Sequence, residues 1–246
     1  MAKQSDTDKK LAHDKAWKCF HKGDFDNALE QFQQAIDDGD DNEALYGRAC
    51  ALFRTGDLDG SIADLSALIK SDGKFVLAYH TRALAYGADE QYDKALADLL
   101  KVIGADPSNG EAWCDLGGLY LVMEDYVKAR ECFEHSADID KTCACAWLGK
   151  GAAALFMKEY KAAVEYLNVA IKLDGKEVVG HMARADAAFS GNMKKDALKD
   201  MRKALTLDKD FYQKFNELLD DDSGDQTDDD ADEKATLDDD VGLDDF

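Results

Sequence analysis

The chain repeats itself about every 34 residues, and this period constrains its fold more than any other feature. In three of the periods a small residue stands three positions after a Tyr, as in Tyr92-x-x-Ala95, and the column continues in both directions. Its six members are Ala28, Ser61, Ala95, Ala129, Ala163 and Ala197. They are separated by 33, 34, 34, 34 and 34 residues. A fixed period of this length is typical of a stack of similar units, each packed on its neighbours.

Within each period two stretches carry apolar residues at the i, i+3, i+4 and i+7 spacing of one helix face. A short turn separates the two stretches and often contains Gly, as at Gly23, Gly56 and Gly191. The chain has one Pro, Pro107, which is too few for a loop-rich β fold. The pattern therefore predicts a helix, a tight turn and a second helix in every unit.

The fourth unit carries the most complete motif. Its helices contain Trp113-x-x-Leu116-Gly117-x-x-Tyr120 and Tyr126-x-x-Ala129-x-x-x-Phe133. This pattern resembles the tetratricopeptide repeat family, and the resemblance covers about residues 9–209. It implies an all-α, right-handed superhelical solenoid of six helix-turn-helix tetratricopeptide repeats, with a C-terminal capping helix and a disordered acidic tail.

The repeats set the expected domain bounds. We expect an N-terminal segment (1–8), a six-repeat domain (9–210), a capping helix (211–220) and an acidic disordered tail (221–246). The repeats span about 9–41, 42–75, 76–109, 110–143, 144–177 and 178–211. The capping helix follows from apolar residues at helical spacing, namely Phe211, Phe215, Leu218 and Leu219. The motif is incomplete in places, since Leu45 and His181 stand where Trp113 and Trp147 do.

Two further columns predict how the helices pack. A small residue in the first helix lets the two helices of a unit approach closely, at Ala16, Ala49, Ala83, Gly117, Gly151 and Ala185. A larger apolar residue in the second helix fills the space between units, at Phe32, Leu65, Leu99, Phe133, Leu167 and Met201.

Three repeats carry an Arg in the first helix and an Asp sixteen residues later in the second. The pairs are Arg48 with Asp64, Arg82 with Asp98, and Arg184 with Asp200. Repeats without the Arg also lack the Asp, since Lys15 meets Gln31, Leu116 meets Cys132 and Lys150 meets Tyr166. The matched Asp favours ion pairs within a repeat over anion receptors, and we expect exposed pairs that contribute about 0–1 kcal/mol each.

The charge of the chain is strongly negative and unevenly distributed. The sequence has 30 Lys and Arg against 52 Asp and Glu, a formal net charge of −22. From Glu217 to Phe246 there are 15 acidic residues and one Lys, which leaves a net charge of −8 for residues 1–216. Phosphate backbones and anionic membranes require clustered positive charge. The composition therefore argues against nucleic acid and membrane surfaces as partners and predicts a disordered tail.

The sequence also indicates a reducing compartment. The N-terminus is charged where a signal peptide needs an apolar run, and we find no stretch of about 18 apolar residues that would span a membrane. The six cysteines, Cys19, Cys50, Cys114, Cys132, Cys143 and Cys145, include no CxxC pair. We expect them to be small core residues of a chain in the cytoplasm or nucleus.

In the family that the chain resembles, first helices of successive repeats line a concave face. Their inward columns supply a candidate peptide-binding groove, formed by Trp17, Phe20, Tyr46, Phe53, His80, Leu84, Leu121, Leu148, Leu155, Met182 and Phe189. The basic carboxylate clamp of tetratricopeptide co-chaperones is missing, because its columns hold His13, Trp17, Gly47, Leu77 and Thr81. A helix or extended peptide with apolar anchors fits better. The alternative is that these side chains only pack between neighbouring first helices.

The acidic tail leaves three interpretations open. It could attract basic client proteins by charge. Its apolar residues Leu237, Val241, Leu243 and Phe246 could instead dock as a short motif on a partner or in the chain's own groove. A third interpretation is a tail that only keeps the chain in solution.

The sequence contains none of the common catalytic or phosphate-binding motifs. Its five histidines are isolated, and Cys143 with Cys145 lacks the second pair of a zinc site. We therefore predict no enzyme activity, no cofactor and no metal. The leading hypothesis is a non-catalytic protein-interaction scaffold or co-chaperone-like adaptor, and the alternative is a chaperone or assembly factor for basic clients that uses the tail. The sequence does not indicate an oligomeric state.

Overall fold

The structure, a computed structural model, describes residues 13–37, 42–174 and 178–207. Within these ranges there are twelve helices and no strands. The helices are α1 (13–21), α2 (Phe25–Asp37), α3 (Asn42–Thr55), α4 (Leu58–Ser71), α5 (Val76–Ala88), α6 (Tyr92–Ala105), α7 (Gly110–Val122), α8 (Tyr126–Ile139), α9 (Ala144–Phe156), α10 (Tyr160–Leu173), α11 (Val178–Ser190) and α12 (Lys194–Leu207). The N-terminal segment, the capping helix and the tail lie outside the described residues, so their predicted bounds stay predictions.

The helices follow the predicted order of first and second helix in each repeat. The two helices of one repeat pack together, and each second helix packs on the first helix of the next repeat. The contact between repeats is sparsest between α6 and α7, where the third repeat meets the fourth. The predicted all-α stack of helix pairs is confirmed.

The turn inside each repeat depends on one residue with a positive φ angle. This residue is Gly23, Gly56, Glu90, Glu124, Lys158 or Asn192, with φ between 58° and 86°. The left-handed conformation reverses the chain in very few residues and closes the end of the first helix. In the sixth repeat Asn192, next to Gly191 in the predicted turn, takes this conformation.

The first helices form the inner side of the stack. Helices α3, α5, α7 and α9 each contact the next first helix, whereas no two second helices among those described come into comparable contact. Because the first helices approach one another more closely, the stack curves with these helices on the inside. We call the surface that they form the inward face.

The predicted packing columns are present between the helices. The ring of Phe133 lies against Gly117 of its own repeat and against Gly149 of the next repeat. A Cβ atom placed on Gly149 would stand 2.4 Å from Cε1 of this ring, which is closer than any side chain tolerates. Phe32 lies against Gly47 in the same way. A ring at this position thus requires a residue without a side chain in the next first helix.

The three Arg–Asp pairs form as predicted, each with two hydrogen bonds. In the third repeat the Arg82 Nε donates to Asp98 Oδ2 at 2.7 Å and the Nη2 donates to Oδ1 at 2.9 Å. The pairs differ from the sequence-based expectation because they are not exposed, since Asp64, Asp98 and Asp200 are only 9%, 5% and 3% exposed. The carboxylates lie between the two helices, where hydrogen bonds from the guanidinium replace the hydrogen bonds to water that are lost on folding.

Each arginine also contacts the preceding repeat, which the sequence analysis missed. The Arg82 Nη1 donates to Ser66 Oγ at 3.0 Å, and Ser66 belongs to the second helix of repeat two. Arg48 donates to Gln33 and Arg184 donates to Asn168 in the same manner. Each of these side chains therefore joins three helices and two repeats.

Candidate functional site

The inward face contains an apolar groove over the third to sixth repeats, which we call the central groove. It has a volume of about 690 Å³. Its walls include Leu84, Leu121, Leu148 and Val179. Small residues form much of its floor, including Gly87, Gly118 and Ala152. An added Cβ at Gly87 or Gly118 would meet no atom within 4 Å, so these positions open onto free space.

A second groove of about 640 Å³ lies at the last repeat, and we call it the end groove. Met182 and Phe189 of α11 and Leu198 and Met201 of α12 line it. Met201 stands in the column of Phe133, which packs against the first helix of the following repeat. The end groove therefore lies where every earlier repeat receives its neighbour. The predicted capping helix at residues 211–220 lies outside the described residues and stays a prediction.

Three of the four aromatic candidates in the first two repeats pack mainly against each other and against the core. The Trp17 ring lies 5.3 Å from Phe20 and 5.2 Å from Phe32, measured between ring centroids. Tyr46 lies 6.3 Å from Trp17 and 5.4 Å from Phe75. All three candidates, Trp17, Phe20 and Tyr46, are half-buried. These ring contacts stabilise the N-terminal end of the inward face and reduce the apolar surface that is open to a ligand.

The structure thus separates the predicted groove residues into groups. Leu84, Leu121 and Leu148 line the central groove, and Met182 and Phe189 line the end groove. Phe53 and Leu155 are half-buried and line neither of these two grooves. His80 is 9% exposed and is closed off by a neighbouring carboxylate.

That carboxylate belongs to Asp115, whose Oδ2 lies 2.6 Å from His80 Nε2. The contact joins α5 to α7 across the inward face. The hydrogen bond with Asp115 raises the pKa of His80, although burial of the imidazole acts in the opposite direction. Glu111, also on α7, adds a favourable charge interaction with His80. The pair fixes the spacing of the third and fourth first helices beside the central groove.

Tyr46 makes a similar contact one repeat earlier. Its hydroxyl lies 3.2 Å from Thr81 Oγ1, which joins α3 to α5. Burial raises the pKa of Tyr46 to about 12, so the phenol stays protonated and serves as a hydrogen-bonding group.

The two buried thiols, Cys114 and Cys132, show no sign of a nucleophile. A hydrogen bond with Cys145, together with burial, raises the pKa of Cys114 above its ordinary value. Burial raises the pKa of Cys132 to about 11. A catalytic cysteine needs the opposite shift, because the thiolate is the reactive form. Cys145 is exposed and lines the central groove, which makes it a useful chemical reporter of groove occupancy.

The sequence analysis missed two acidic groove residues. Glu90, in the turn between α5 and α6, and Asp115 both line the central groove. The equivalent positions of the other repeats hold Asp14, Gly47, Thr81, Gly149 and Ala183. An Asp in a column of mostly small residues was the available signal, but only the structure shows that Asp115 meets His80.

Among the described residues no group of three or more His, Cys, Asp or Glu side chains is arranged to hold a metal ion. None of the helices in the same ranges is long and apolar enough to cross a membrane.

A curved stack of helix pairs with an apolar inward surface defines a helical-repeat solenoid. Two family models described as "Tetratricopeptide repeat" match the chain, one over residues 20–74 and 80–142 and the other over residues 146–177. Together they cover more than half of the sequence. The chain belongs to the tetratricopeptide repeat family, whose members generally mediate protein–protein interactions. Folds of this kind are typically non-catalytic scaffolds.

Solved structures of low sequence identity share this fold. A tetratricopeptide repeat protein from Parabacteroides merdae is 21% identical with a TM-score of 0.70, and the match covers 82% of this chain and 80% of that one. PilF of Pseudomonas aeruginosa is 16% identical with a TM-score of 0.73, covering 87% and 98%. A thermophilic tetratricopeptide repeat protein of Thermus thermophilus is 18% identical with a TM-score of 0.60, covering 74% and 99%. No curated protein sequence matches the chain significantly.

Proposed function

We propose that the chain is a non-catalytic adaptor that binds a peptide or helix of a partner protein in the central groove. The observation that carries this proposal is the exposed apolar surface of the groove. Leu84 is 37% exposed and Val179 is 59% exposed, although both belong to helices whose other faces are well packed. Apolar surface of this kind, rimmed by polar residues, is typical of an interaction site.

The proposed ligand does not need a free carboxylate. In a carboxylate clamp Lys, Arg and Asn side chains point into the groove, whereas none of the described residues that line the central groove is Lys or Arg. Apolar anchors would therefore supply most of the binding free energy, as they do where a helix lies in a groove.

The test begins with the purified full-length chain and an unbiased library of displayed peptides. Selected peptides are synthesised, and their dissociation constants are measured by fluorescence anisotropy. The double variant Leu84→Gln with Val179→Gln should weaken binding by about tenfold or more, because both apolar contacts are lost. Circular dichroism should show unchanged helicity.

A matched control is available on the second helices. Leu100 and Val127 are 51% and 50% exposed and lie outside the central groove. The double variant Leu100→Gln with Val127→Gln should leave the affinity within about twofold. Equal loss in both variants, or no loss in the groove variant, would overturn the proposal.

Alkylation of Cys145 supplies an independent readout. The thiol lines the central groove and is exposed, whereas the nearby Cys143 is half-buried and does not line it. A bound peptide should slow the reaction of Cys145 with iodoacetamide and leave that of Cys143 unchanged. Unchanged reactivity of Cys145 at saturating peptide would place the binding site elsewhere.

A further inference from the structure

In the second to sixth repeats the charged residues of the first helices are sorted by sign. Helices α3, α5, α7, α9 and α11 carry five cationic residues, namely Arg48, Arg54, Arg82, Lys150 and Arg184. Every one of them contacts a second helix. Three form the Arg–Asp pairs, Lys150 lies over the Tyr166 ring, and Arg54 lies over the Phe25 ring.

The carboxylates of the same five helices remain on the inward side. They are Glu43, Glu111, Asp115 and Asp186. Glu111 stands in the same column as Cys145 and Val179, both of which line the central groove, and its charge also acts on His80 of α5. Asp115 and Glu90 are the charged residues among the described lining of the central groove. Along these five helices the inward face is therefore apolar and anionic, and their cations are turned away from it.

From this sorting we infer that the central groove recognises a protein segment in which apolar anchors are interspersed with Lys or Arg. The inference rests on the proposed function and names the chemistry of its ligand. Apolar side chains of the segment occupy the surface around Leu84, Leu148 and Val179, and its cations lie near Glu90 and Glu111. Asp115 contributes less to the attraction of the ligand's cations, because its carboxylate is already paired with His80.

Charge complementarity also distinguishes between possible occupants. The C-terminal residues Glu217 to Phe246 have a net charge of −14, so self-docking of this tail would bring like charges together. A basic segment is attracted by the groove carboxylates and, at longer range, by the tail. The two acidic features of the chain therefore select the same class of partner.

The experiment uses the full-length chain and three short synthetic peptides. The peptides share one set of Leu anchors at helical spacing and differ only in whether the remaining positions are Lys, Gln or Glu. We expect the Lys peptide to bind most tightly, and its affinity to fall when salt is raised. Glu90→Gln with Glu111→Gln should weaken the Lys peptide by about fivefold and leave the Gln peptide unchanged.

Glu131→Gln with Glu165→Gln is the matched control, because it removes the same charge from exposed positions of the second helices α8 and α10. It should leave the affinity of the Lys peptide within about twofold. An equal effect of both double variants would assign the attraction to overall charge and overturn the inference. Tightest binding of the Glu peptide would overturn it too and would favour the chain's own tail as occupant.

The outcomes also separate this inference from the proposed function. Suppose that Leu84→Gln with Val179→Gln weakens the Lys and Gln peptides while the carboxylate variants have no effect. The groove is then supported as a binding site, and the inference that it selects cationic segments is refuted. If the apolar variant affects no peptide, the groove itself is excluded.

Discussion

The ammonium of Lys150 lies 4.6 Å from the centroid of the Tyr166 ring. On its other side the same ammonium lies 3.7 Å from Oε1 of Glu134. These partners stand sixteen residues after and before Lys150, which is the spacing at which Arg82 contacts Asp98 and Ser66. The fifth repeat therefore keeps the three-helix contact. Its cation–π interaction with Tyr166 takes the place of the Arg–Asp ion pair that other repeats form between their own two helices.

The burial of Asp98 makes its partner important for stability. Arg82→Leu would leave a carboxylate that is 8% exposed in its side chain without a cation. We expect the free energy of unfolding, measured by urea denaturation, to fall by about 1–3 kcal/mol. The control is Arg130→Leu, because the Glu159 partner is 43% exposed and the expected loss is below about 1 kcal/mol. Equal losses would show that burial of the pair is irrelevant.

The close contact between Phe133 and Gly149 gives a second prediction. In Gly149→Ala the new methyl group would collide with the ring, and we expect a loss of about 1–3 kcal/mol in the free energy of unfolding. Gly104→Ala in α6 is the control, because its added Cβ meets no atom within 4 Å. Removing a helical Gly should there raise stability by about 0.5–1 kcal/mol. Opposite signs in thermal melts would confirm the explanation, whereas a stabilised Gly149→Ala would refute it.

Ser61 interrupts the column of Ala residues with a buried hydroxyl. The side chain is fully buried, and its Oγ has no hydrogen-bond partner among the described residues. Ser61→Ala should therefore raise the free energy of unfolding by about 1 kcal/mol. The reverse change at the equivalent site, Ala95→Ser, should lower it by a similar amount. Stability that falls in Ser61→Ala would mean that the hydroxyl does have a partner in solution.

The His80–Asp115 contact predicts a dependence of stability on pH. Because the pKa of His80 is raised in the folded chain, the contact stabilises fully below the unfolded value of about 6.5 and loses this effect as pH rises through the folded value. The free energy of unfolding should therefore decrease more between about pH 6 and pH 8.5 in the wild type than in His80→Gln. Titration of His80 by NMR checks the cause, since Asp115→Asn should lower its pKa. Identical pH profiles would show that the contact does not contribute to the pH dependence.

The helix pairs and the Arg–Asp pairs could be predicted from the sequence because both recur at a fixed spacing. The contact of each arginine with the preceding repeat could not, since the equivalent positions hold Gln33, Ser66 and Asn168, which share polarity but no residue type. The division of the predicted groove was also out of reach. Whether Trp17 or Leu84 faces solvent depends on what the neighbouring helices leave uncovered, and a column of apolar residues does not carry that information.

The central groove crosses the boundary between the third and fourth repeats, where α6 packs on α7. In an array of repeats each unit contacts only its neighbours, so the two sides of a boundary can open separately. This boundary divides the described repeats into an N-terminal and a C-terminal half. Leu84 lies on one side of this boundary and Leu148 on the other, so a ligand that contacts both would stabilise the two halves against separation. Its binding would then be detectable at a distance, as slowed amide exchange on both sides of the junction.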